Sequence, residues 1–184
     1  SGNGTLTTNP STIGFGVGLY YAVIGDPVNG ISQEFQLIVE SGNSVSMTYP
    51  IGGEELETTT PIFSWDANPG VPYYHVILSD NPFNLSEDDD GNMTVSGAQA
   101  IWAIITSETS AQYGIIDPSG TIDNNPPPLI DGLEYNWLVM NNYGNSILYS
   151  SSVVGNPASF TYKAEVQLDN PEQIYPAFST SSDP

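Results

Sequence analysis

Large apolar residues and small residues alternate along the first part of the chain. Between positions 13 and 23 the sequence reads IGFGVGLYYAV. A period of two places successive side chains on opposite faces of an extended chain. The segment is therefore predicted to be a β-strand with one apolar face, formed by Ile13, Phe15, Val17, Leu19, Tyr21 and Val23.

Turn-forming residues follow at 26–30, where the sequence reads DPVNG. Proline presets its backbone φ and Asn-Gly accepts positive φ, so a hairpin is predicted. The returning segment 32–40 puts Phe35, Leu37 and Val39 on one side. We expect residues 12–40 to form a two-stranded ribbon with one apolar face. An isolated hairpin is marginal in water, so something must cover that face.

Short runs rich in β-branched and aromatic residues continue to about residue 163, and none has a helical period. Gly, Pro, Asn and Asp cluster between them, which is typical of turns joining strands. The number and spacing of these runs predict an all-β sandwich. The runs are VSMTYP, PIFSW, YYHVILS, AIWAIITS, YNWLVMN, SILYSSSVV and SFTYK.

These patterns divide the chain into four parts. Residues 1–11 have the composition of an N-terminal tail, and residues 12–43 form the predicted hairpin with its assembly strand. Residues 44–163 form the predicted sandwich. Residues 164–184 are interrupted by proline and end in Ser and Thr, which predicts an extended C-terminal arm.

Residues 44–163 resemble an immunoglobulin-like β-sandwich domain of the fibronectin type III kind, as found in prokaryotic extracellular surface proteins. The likeness rests on the segments YPIGGEELETTTPIFSWDANPGVPYYHVILSD and LIDGLEYNWLV. In the second segment, Leu129, Gly132 and Tyr135 are spaced as in the tyrosine corner of that family. The resemblance implies a core that contains Trp65, Tyr74, Val76, Leu129, Tyr135 and Trp137.

The charge balance excludes several classes of partner. The chain carries 21 acidic residues against one Lys or Arg, for a net charge of −20. Binding to nucleic acid or to an anionic membrane surface needs several basic side chains, and this chain has only one. No apolar run is long enough to predict a membrane span. With a neutral-polar surface and a first residue other than Met, the chain is predicted to be extracellular or at the cell surface.

Catalysis is not expected. His75 is the only histidine, and it alternates with the inward-facing Tyr74 and Val76, so we expect it to face solvent. A Ser-His-Asp triad would need that histidine beside a serine and a carboxylate. There is no cysteine for a thiolate nucleophile or a disulfide.

No cofactor is predicted beyond two candidates in the loops. The acidic run 87–92 contains Asp88, Asp90 and Asn92, whose oxygens are the kind of ligand that calcium takes, although a solvated loop is the commoner fate of such a run. Sequons at Asn3, Asn84 and Asn92 are candidates for glycosylation.

Two functions are compatible with these features. In the first, the chain is the structural subunit of an extracellular filament, pilus or sheath, and copies of it polymerise head-to-tail by burying the assembly strand against a neighbour. In the second, it is a carbohydrate-binding or adhesive module of a larger surface protein. Four aromatic residues are candidates for a sugar-binding platform in that case: Tyr73, Trp102, Tyr113 and Tyr143.

Overall fold

A computed structural model describes residues 16–26, 29–40, 42–87, 93–116 and 125–165. Within these ranges the regular structure consists of strands and one short 3₁₀ helix, Ile147–Tyr149. The prediction of an all-β fold is confirmed. The strands are β1 (Gly18–Asp26), β2 (Ile31–Val39), β3 (Met47–Tyr49), β4 (Glu54–Leu56), β5 (Ile62–Trp65), β6 (Tyr73–Ser79), β7 (Asn84–Glu87), β8 (Met93–Ser96), β9 (Ala100–Thr106), β10 (Ser110–Gln112), β11 (Glu134–Asn142), β12 (Ser150–Val154) and β13 (Ala158–Tyr162).

Two larger sheets and two hairpins contain these strands. The larger sheet has the order β4-β13-β11-β6-β9, and β12 pairs with the C-terminal part of β11. The smaller sheet has the order β10-β5-β3. Strands β1 and β2 form one separate hairpin, and β7 and β8 form the other. The pairing is antiparallel except between β13 and β4.

An aromatic cluster joins the two larger sheets into a sandwich-like body. The ring of Phe63, from the smaller sheet, lies 4.8 Å from that of Trp137 and 5.7 Å from that of Trp102. Its centroid is also 5.9 Å from that of Phe160. Aromatic pairs at these distances add about 0.5–1.5 kcal/mol each to the gain from burial. The body is therefore held mainly by rings contributed from both sheets.

The larger sheet is buried on its outer face as well. Ala103, Ile105, Leu138 and Met140 alternate with the core residues of β9 and β11, and each is less than 9% exposed. The consecutive apolar residues of β11, in the run WLVM, are what a strand covered on both faces requires. Strand β11 is therefore the centre of the body.

The expectation that His75 faces solvent is wrong. His75 does point away from the aromatic core, but its side chain is only 7% exposed. Ser150, at the start of β12, contacts the imidazole, with its Oγ 3.0 Å from His75 Nδ1. Alternation along β6 indicated the correct face but could not reveal that a residue 75 positions away contacts it.

Several short strands were not predicted from the sequence. Strands β4 and β10 have three residues each, too few to display a period. Strand β4 contains two glutamates and owes its conformation to parallel pairing with β13, more than a hundred positions later. In the predicted run 146–154, the first part forms the 3₁₀ helix and the second part forms β12.

Candidate functional site

The hairpin at the start of the described chain is called the ribbon below, and comprises β1 and β2. Gly18 pairs with Val39 at one end, and Asp26 pairs with Ile31 at the other. Gly30, in the turn, has a φ of +65°, which glycine adopts without steric cost. The hairpin that the sequence predicts is therefore present.

The expectation of a single apolar face on the ribbon is wrong. Residues directly opposite in an antiparallel pair share a face. Tyr21 pairs with Gln36 and Val23 pairs with Glu34, while Phe35 pairs with Ala22. Tyr21 and Val23 therefore lie on the face opposite to that of Phe35, and both faces of the ribbon carry apolar side chains.

The length of the turn explains this result. Four residues, 27–30, separate the last paired positions, Asp26 and Ile31. An even number of connecting residues pairs odd-numbered positions with even-numbered ones. Tyr21, Val23 and Phe35 are all odd-numbered, so Phe35 cannot share a face with the other two. Leu19 does share a face with the even-numbered Ile38. Only the register across the turn decides this.

The outer part of the ribbon is exposed, and its base is buried. Tyr21 is 61% exposed, Val23 is 65% exposed and Phe35 is 40% exposed. Val39, at the base, is 6% exposed. Val17 and Leu19, also predicted for the assembly strand, are partly buried, whereas Ile13 and Phe15 lie outside the described residues. The ribbon thus presents uncovered apolar surface far from its attachment.

Polar contacts attach the base of the ribbon to the body. Ser151 Oγ donates a hydrogen bond to Glu40 Oε2 at 3.1 Å. The backbone oxygen of Asn43 accepts hydrogen bonds from Asn68 Nδ2 at 3.2 Å and from Asn141 Nδ2 at 2.9 Å. Asn141 is fully buried. These contacts fix the point at which the ribbon leaves the body, on the side of β11 and β12.

The role of these asparagines was not predicted, although the sequence contains a signal for it. Asn141 and Asn142 end the apolar run of β11, where a buried amide must find partners. The side-chain Nδ2 of Asn68 donates to Asn141 Oδ1 at 2.9 Å, and the backbone N–H of Asn68 donates to Tyr74 Oη at 2.9 Å. The asparagines and Tyr74 thus form a network that connects the ribbon base to the core.

The six residues that the resemblance assigns to the core are all buried, and Trp137 and Tyr135, like Tyr74, have defined polar partners. Trp137 Nε1 donates to the backbone oxygen of Pro50 at 2.7 Å. Tyr135 Oη accepts a hydrogen bond from the amide of Ile130 at 2.8 Å. The six exposures run from 0% to 9%, for Trp65, Tyr74, Val76, Leu129, Tyr135 and Trp137.

The predicted sugar-binding platform is wrong for three of its four residues. Trp102 is 1% exposed, Tyr143 is 3% exposed and Tyr113 is 4% exposed, so none offers a ring face to a ligand. Trp102 Nε1 donates to the backbone oxygen of Ile115 at 2.9 Å. Tyr73 is partly buried. These rings were predicted at the surface because the strands that cover them could not be identified from the sequence.

Burial also changes the acidity of Tyr113. Its hydroxyl donates a hydrogen bond to the backbone oxygen of Pro127. Loss of solvation, with a smaller contribution from the nearby Tyr135, raises the pKa of Tyr113 to about 12. The residue therefore stays protonated and holds the segment before β11 against the body.

His75 belongs to a buried polar cluster on the outer face of the larger sheet. Ser150 Oγ, which contacts the imidazole, also accepts a hydrogen bond from Asn142 Nδ2 at 3.2 Å. Asn142 Nδ2 donates as well to the backbone oxygen of Ser146 at 3.1 Å. The cluster fixes the loop that precedes β12. That the chain is not an enzyme remains a prediction.

The candidate ligand and modification sites fall mostly outside the described residues. Asp88, Asp90, Asn92 and Asn3 are among the positions not described. Asn84 is exposed and begins β7, opposite Ser96. Among the described side chains, no group of three or more His, Cys, Asp or Glu is arranged to hold a metal ion. The described ranges also contain no helix long and apolar enough to cross a membrane.

The ribbon is therefore the candidate functional site: an attached, two-sided apolar hairpin that extends from a well-packed body. Comparison with known proteins adds no assignment to it, because no protein-family model and no curated protein matches the chain.

Proposed function

We propose that this chain is the structural subunit of an extracellular filament, pilus or sheath, and that it polymerises by burying the ribbon against a neighbouring copy. The observation that carries the proposal is the exposure of Tyr21, Val23 and Phe35 on both faces of a hairpin. A two-stranded hairpin is marginally stable in water on its own. A neighbouring subunit would give the ribbon the cover that its own body leaves incomplete.

Burial of this surface would contribute favourable free energy to association. Covering a large apolar side chain contributes about 1.5–3 kcal/mol when it passes from full exposure to full burial. Tyr21 and Val23 still expose more than half of their surface. Backbone hydrogen bonds along a strand edge add to this gain. Repeated in every subunit, such a contact supports an ordered polymer.

The body is proposed to be an immunoglobulin-like sandwich of the fibronectin type III kind. The hydrogen bond from the Ile130 amide to Tyr135 Oη supports this, because it joins a tyrosine near the start of a central strand to backbone a few residues upstream. The contact between the tilted rings of Phe63 and Trp137, which joins the two sheets, also supports it. A rigid sandwich of this kind suits a spacer between joints.

The charge of the chain is consistent with a location outside the cell. A net charge of −20 with one basic residue leaves trypsin-like proteases almost nothing to cleave. The exposed Asn84 lies in an acceptor sequon and is proposed to be a glycosylation site in a secreted protein. Charge repulsion between copies also means that assembly should strengthen as salt concentration rises.

The experiment compares the full-length wild type with two double variants. Tyr21→Glu with Val23→Glu places charge on the ribbon, whereas Ile51→Glu with Ile130→Glu places the same charge on the body. The matched control sites are 53% and 62% exposed, so both variants should fold. Each protein is examined by electron microscopy and by sedimentation over a range of protein and salt concentrations.

We expect filaments from the wild type and from the body variant, and none from the ribbon variant. Circular dichroism should show the same β content in all three proteins. A wild type that stays monomeric at every concentration would overturn the proposal. So would filaments formed equally well by the ribbon variant.

A further inference from the structure

One carboxylate lies on the face of the ribbon that carries Tyr21 and Val23. In the register of the hairpin, Glu34 is directly opposite Val23, and Gln36 is directly opposite Tyr21. Side chains directly opposite each other in an antiparallel pair share a face, with their Cβ atoms about 5 Å apart. Glu34 is exposed, as are Tyr21 and Val23. A neighbour that covers the two apolar side chains therefore also covers the Glu34 carboxylate.

Three pairs of the hairpin form the described part of this face, and Glu34 is the only charged residue in them. The pairs are Leu19 with Ile38, Tyr21 with Gln36, and Val23 with Glu34. The other five residues are apolar or neutral. A single ionised group thus lies beside the apolar side chains that the proposed contact buries.

The titratable residues of the surrounding elements do not compensate this charge. On β1, Tyr21 lies diagonally across from Glu34, and Asp26 is three positions beyond Val23, near the turn. Glu40, six positions after Glu34, is about 20 Å away along the strand. It accepts the hydrogen bond from Ser151 at the base, where the titratable residue of the adjoining cluster is His75. In the described part of the chain, none of these groups brings a cation to Glu34.

The one basic residue of the chain is far from the ribbon within a copy. Lys163 follows β13, in which Thr161 pairs with Glu134, the first residue of β11. Asn141, which holds the base of the ribbon, is further along β11. At about 3.4 Å per residue, the distance from the start of β11 to Asn141 is about 24 Å. The lysine of the same copy is therefore too distant to pair with Glu34.

Burial of the ionised carboxylate would oppose association. An ionised group buried without a partner costs much more free energy than a neutral one. A neighbouring copy also has a net charge of −20, so its field disfavours a negative charge and favours binding of a proton. Charged residues on strands that would otherwise associate prevent that association. Glu34 is placed to have this effect on the ribbon.

We propose that Glu34 regulates assembly: its ionised carboxylate opposes burial of the ribbon between copies, and one proton taken from solvent removes that opposition. The inference rests on the proposed function and adds its regulation. The assembled state then binds more protons than the free subunits, so assembly strengthens as pH falls. Tyr21 and Val23 supply the attraction, and Glu34 sets the condition under which it acts.

The experiment compares the full-length wild type with Glu34→Gln and Glu108→Gln. Glutamine has nearly the shape of glutamate, and each variant removes one negative charge. Glu108 is exposed between β9 and β10, so it controls for net charge alone. The lowest protein concentration that forms filaments is measured by sedimentation from pH 7 to pH 5. Electron microscopy distinguishes filaments from the amorphous precipitate expected nearer the pI of about 4.1.

At pH 7 we expect Glu34→Gln to form filaments at a severalfold lower concentration than Glu108→Gln, which should behave like the wild type. At pH 5 the wild type and Glu108→Gln should need less protein, and their difference from Glu34→Gln should narrow. Glu34→Asp keeps the charge and should keep the wild-type pH profile. Circular dichroism should be the same for all four proteins, which would place the difference in association and not in folding.

Equal concentrations for Glu34→Gln and Glu108→Gln at every pH would overturn the inference. So would a higher concentration for Glu34→Gln at pH 7, because it would show that the carboxylate pairs with a cation, such as Lys163 of a second copy. In both cases the proposed function stands if Tyr21→Glu with Val23→Glu still prevents filaments. If none of the proteins assembles at any pH, the proposed function fails, and this inference fails with it.

Discussion

The ribbon and the body are built from similar residues, but they bury them very differently. In the body, Trp137 and Phe63 have no exposed surface, and rings from two sheets enclose each other. In the ribbon, Tyr21 and Val23 expose more than half of their surface. The difference arises because a sandwich supplies a second sheet, whereas the described part of the chain places no second layer over the outer part of the hairpin.

This contrast shows which part of the molecule is complete by itself. The body buries its aromatic core between its own sheets, and β11 is covered on both faces, while scattered residues such as Ile130 stay exposed. The base of the ribbon is packed against the body, since Val39 is buried and Glu40 accepts a hydrogen bond from Ser151. Changes in the body should therefore affect folding, and changes in the outer ribbon should affect association.

The largest expected effect comes from truncating a ring in the body. Trp137→Ala should lower the free energy of unfolding by about 3–5 kcal/mol, because it leaves a cavity. Its loss also removes the hydrogen bond to Pro50. Tyr21→Ala, on the ribbon, should change the free energy of unfolding by less than about 0.5 kcal/mol. Urea denaturation of the dissociated chains measures both, and similar losses would contradict the contrast.

A smaller effect is expected from removing one hydroxyl from each region. Tyr135→Phe deprives the Ile130 amide of its acceptor and should cost about 1 kcal/mol. Tyr20→Phe removes the bond from Tyr20 Oη to the backbone oxygen of Gly16, which is solvent-exposed, and should cost less than about 0.5 kcal/mol. The same denaturation assay compares the two variants. A larger loss for Tyr20→Phe would contradict the assignment of stability to the body.

The pH dependence of stability at Tyr113 tests the packing of the body. Its folded pKa, about 12, is above the ordinary value of 10.0. The stabilisation that follows is therefore present below pH 10 and is lost as pH rises through 12. Tyr113→Phe should be less stable than the wild type by about 1 kcal/mol at neutral pH. The gap should narrow between pH 10 and 12 in thermal melts, and a constant gap would contradict this account.

The smallest expected effect concerns Glu54, the first residue of β4, which pairs in parallel with β13. The Glu54 carboxylate accepts hydrogen bonds from the backbone amides of Gly52 at 2.9 Å and Ile51 at 3.3 Å. The bond from Gly52 is the main cause of the lowered pKa of Glu54. Because the pKa of Glu54 is lowered in the folded state, its carboxylate stabilises the fold at pH values above the ordinary pKa of 4.5. That contribution disappears as the pH falls below this value.

Glu54→Gln should accordingly be slightly less stable than the wild type at pH 7, and the difference should shrink in acid. Thermal melts from pH 7 to pH 3 measure it. Repulsion among the other carboxylates changes equally in both proteins, so it cancels in the comparison. A gap that grows toward low pH would show that another group is responsible.

Much of the local structure could be predicted from the sequence. Alternation along 13–23 and the turn residues at 26–30 were sufficient to place β1 and β2. Runs of aromatic and β-branched residues located β5, β6, β9, β11 and β13. These features depend on neighbouring positions, which is why a single sequence contains them.

The candidate site could be located but not described from the sequence. The residues of the ribbon were identified by their alternation, but their distribution over two faces depends on the four residues between Asp26 and Ile31. A groove between β9 and β10 was not predicted at all. Its lining comes from β5, β9, β10 and the segments beside β10, and only the packing of the two sheets brings these residues together.

The amino-acid sequence by itself determined that this chain forms strands, that its surface repels anions, and that its N-terminal hairpin carries more apolar surface than a free hairpin can leave in water. Tertiary structure alone decided which side chains are covered. His75 and Trp102 are buried by Ser150 and by the segment at Ile115, respectively. A strand's own period specifies which side chains share a face, but burial of that face depends on distant segments, which the period does not encode.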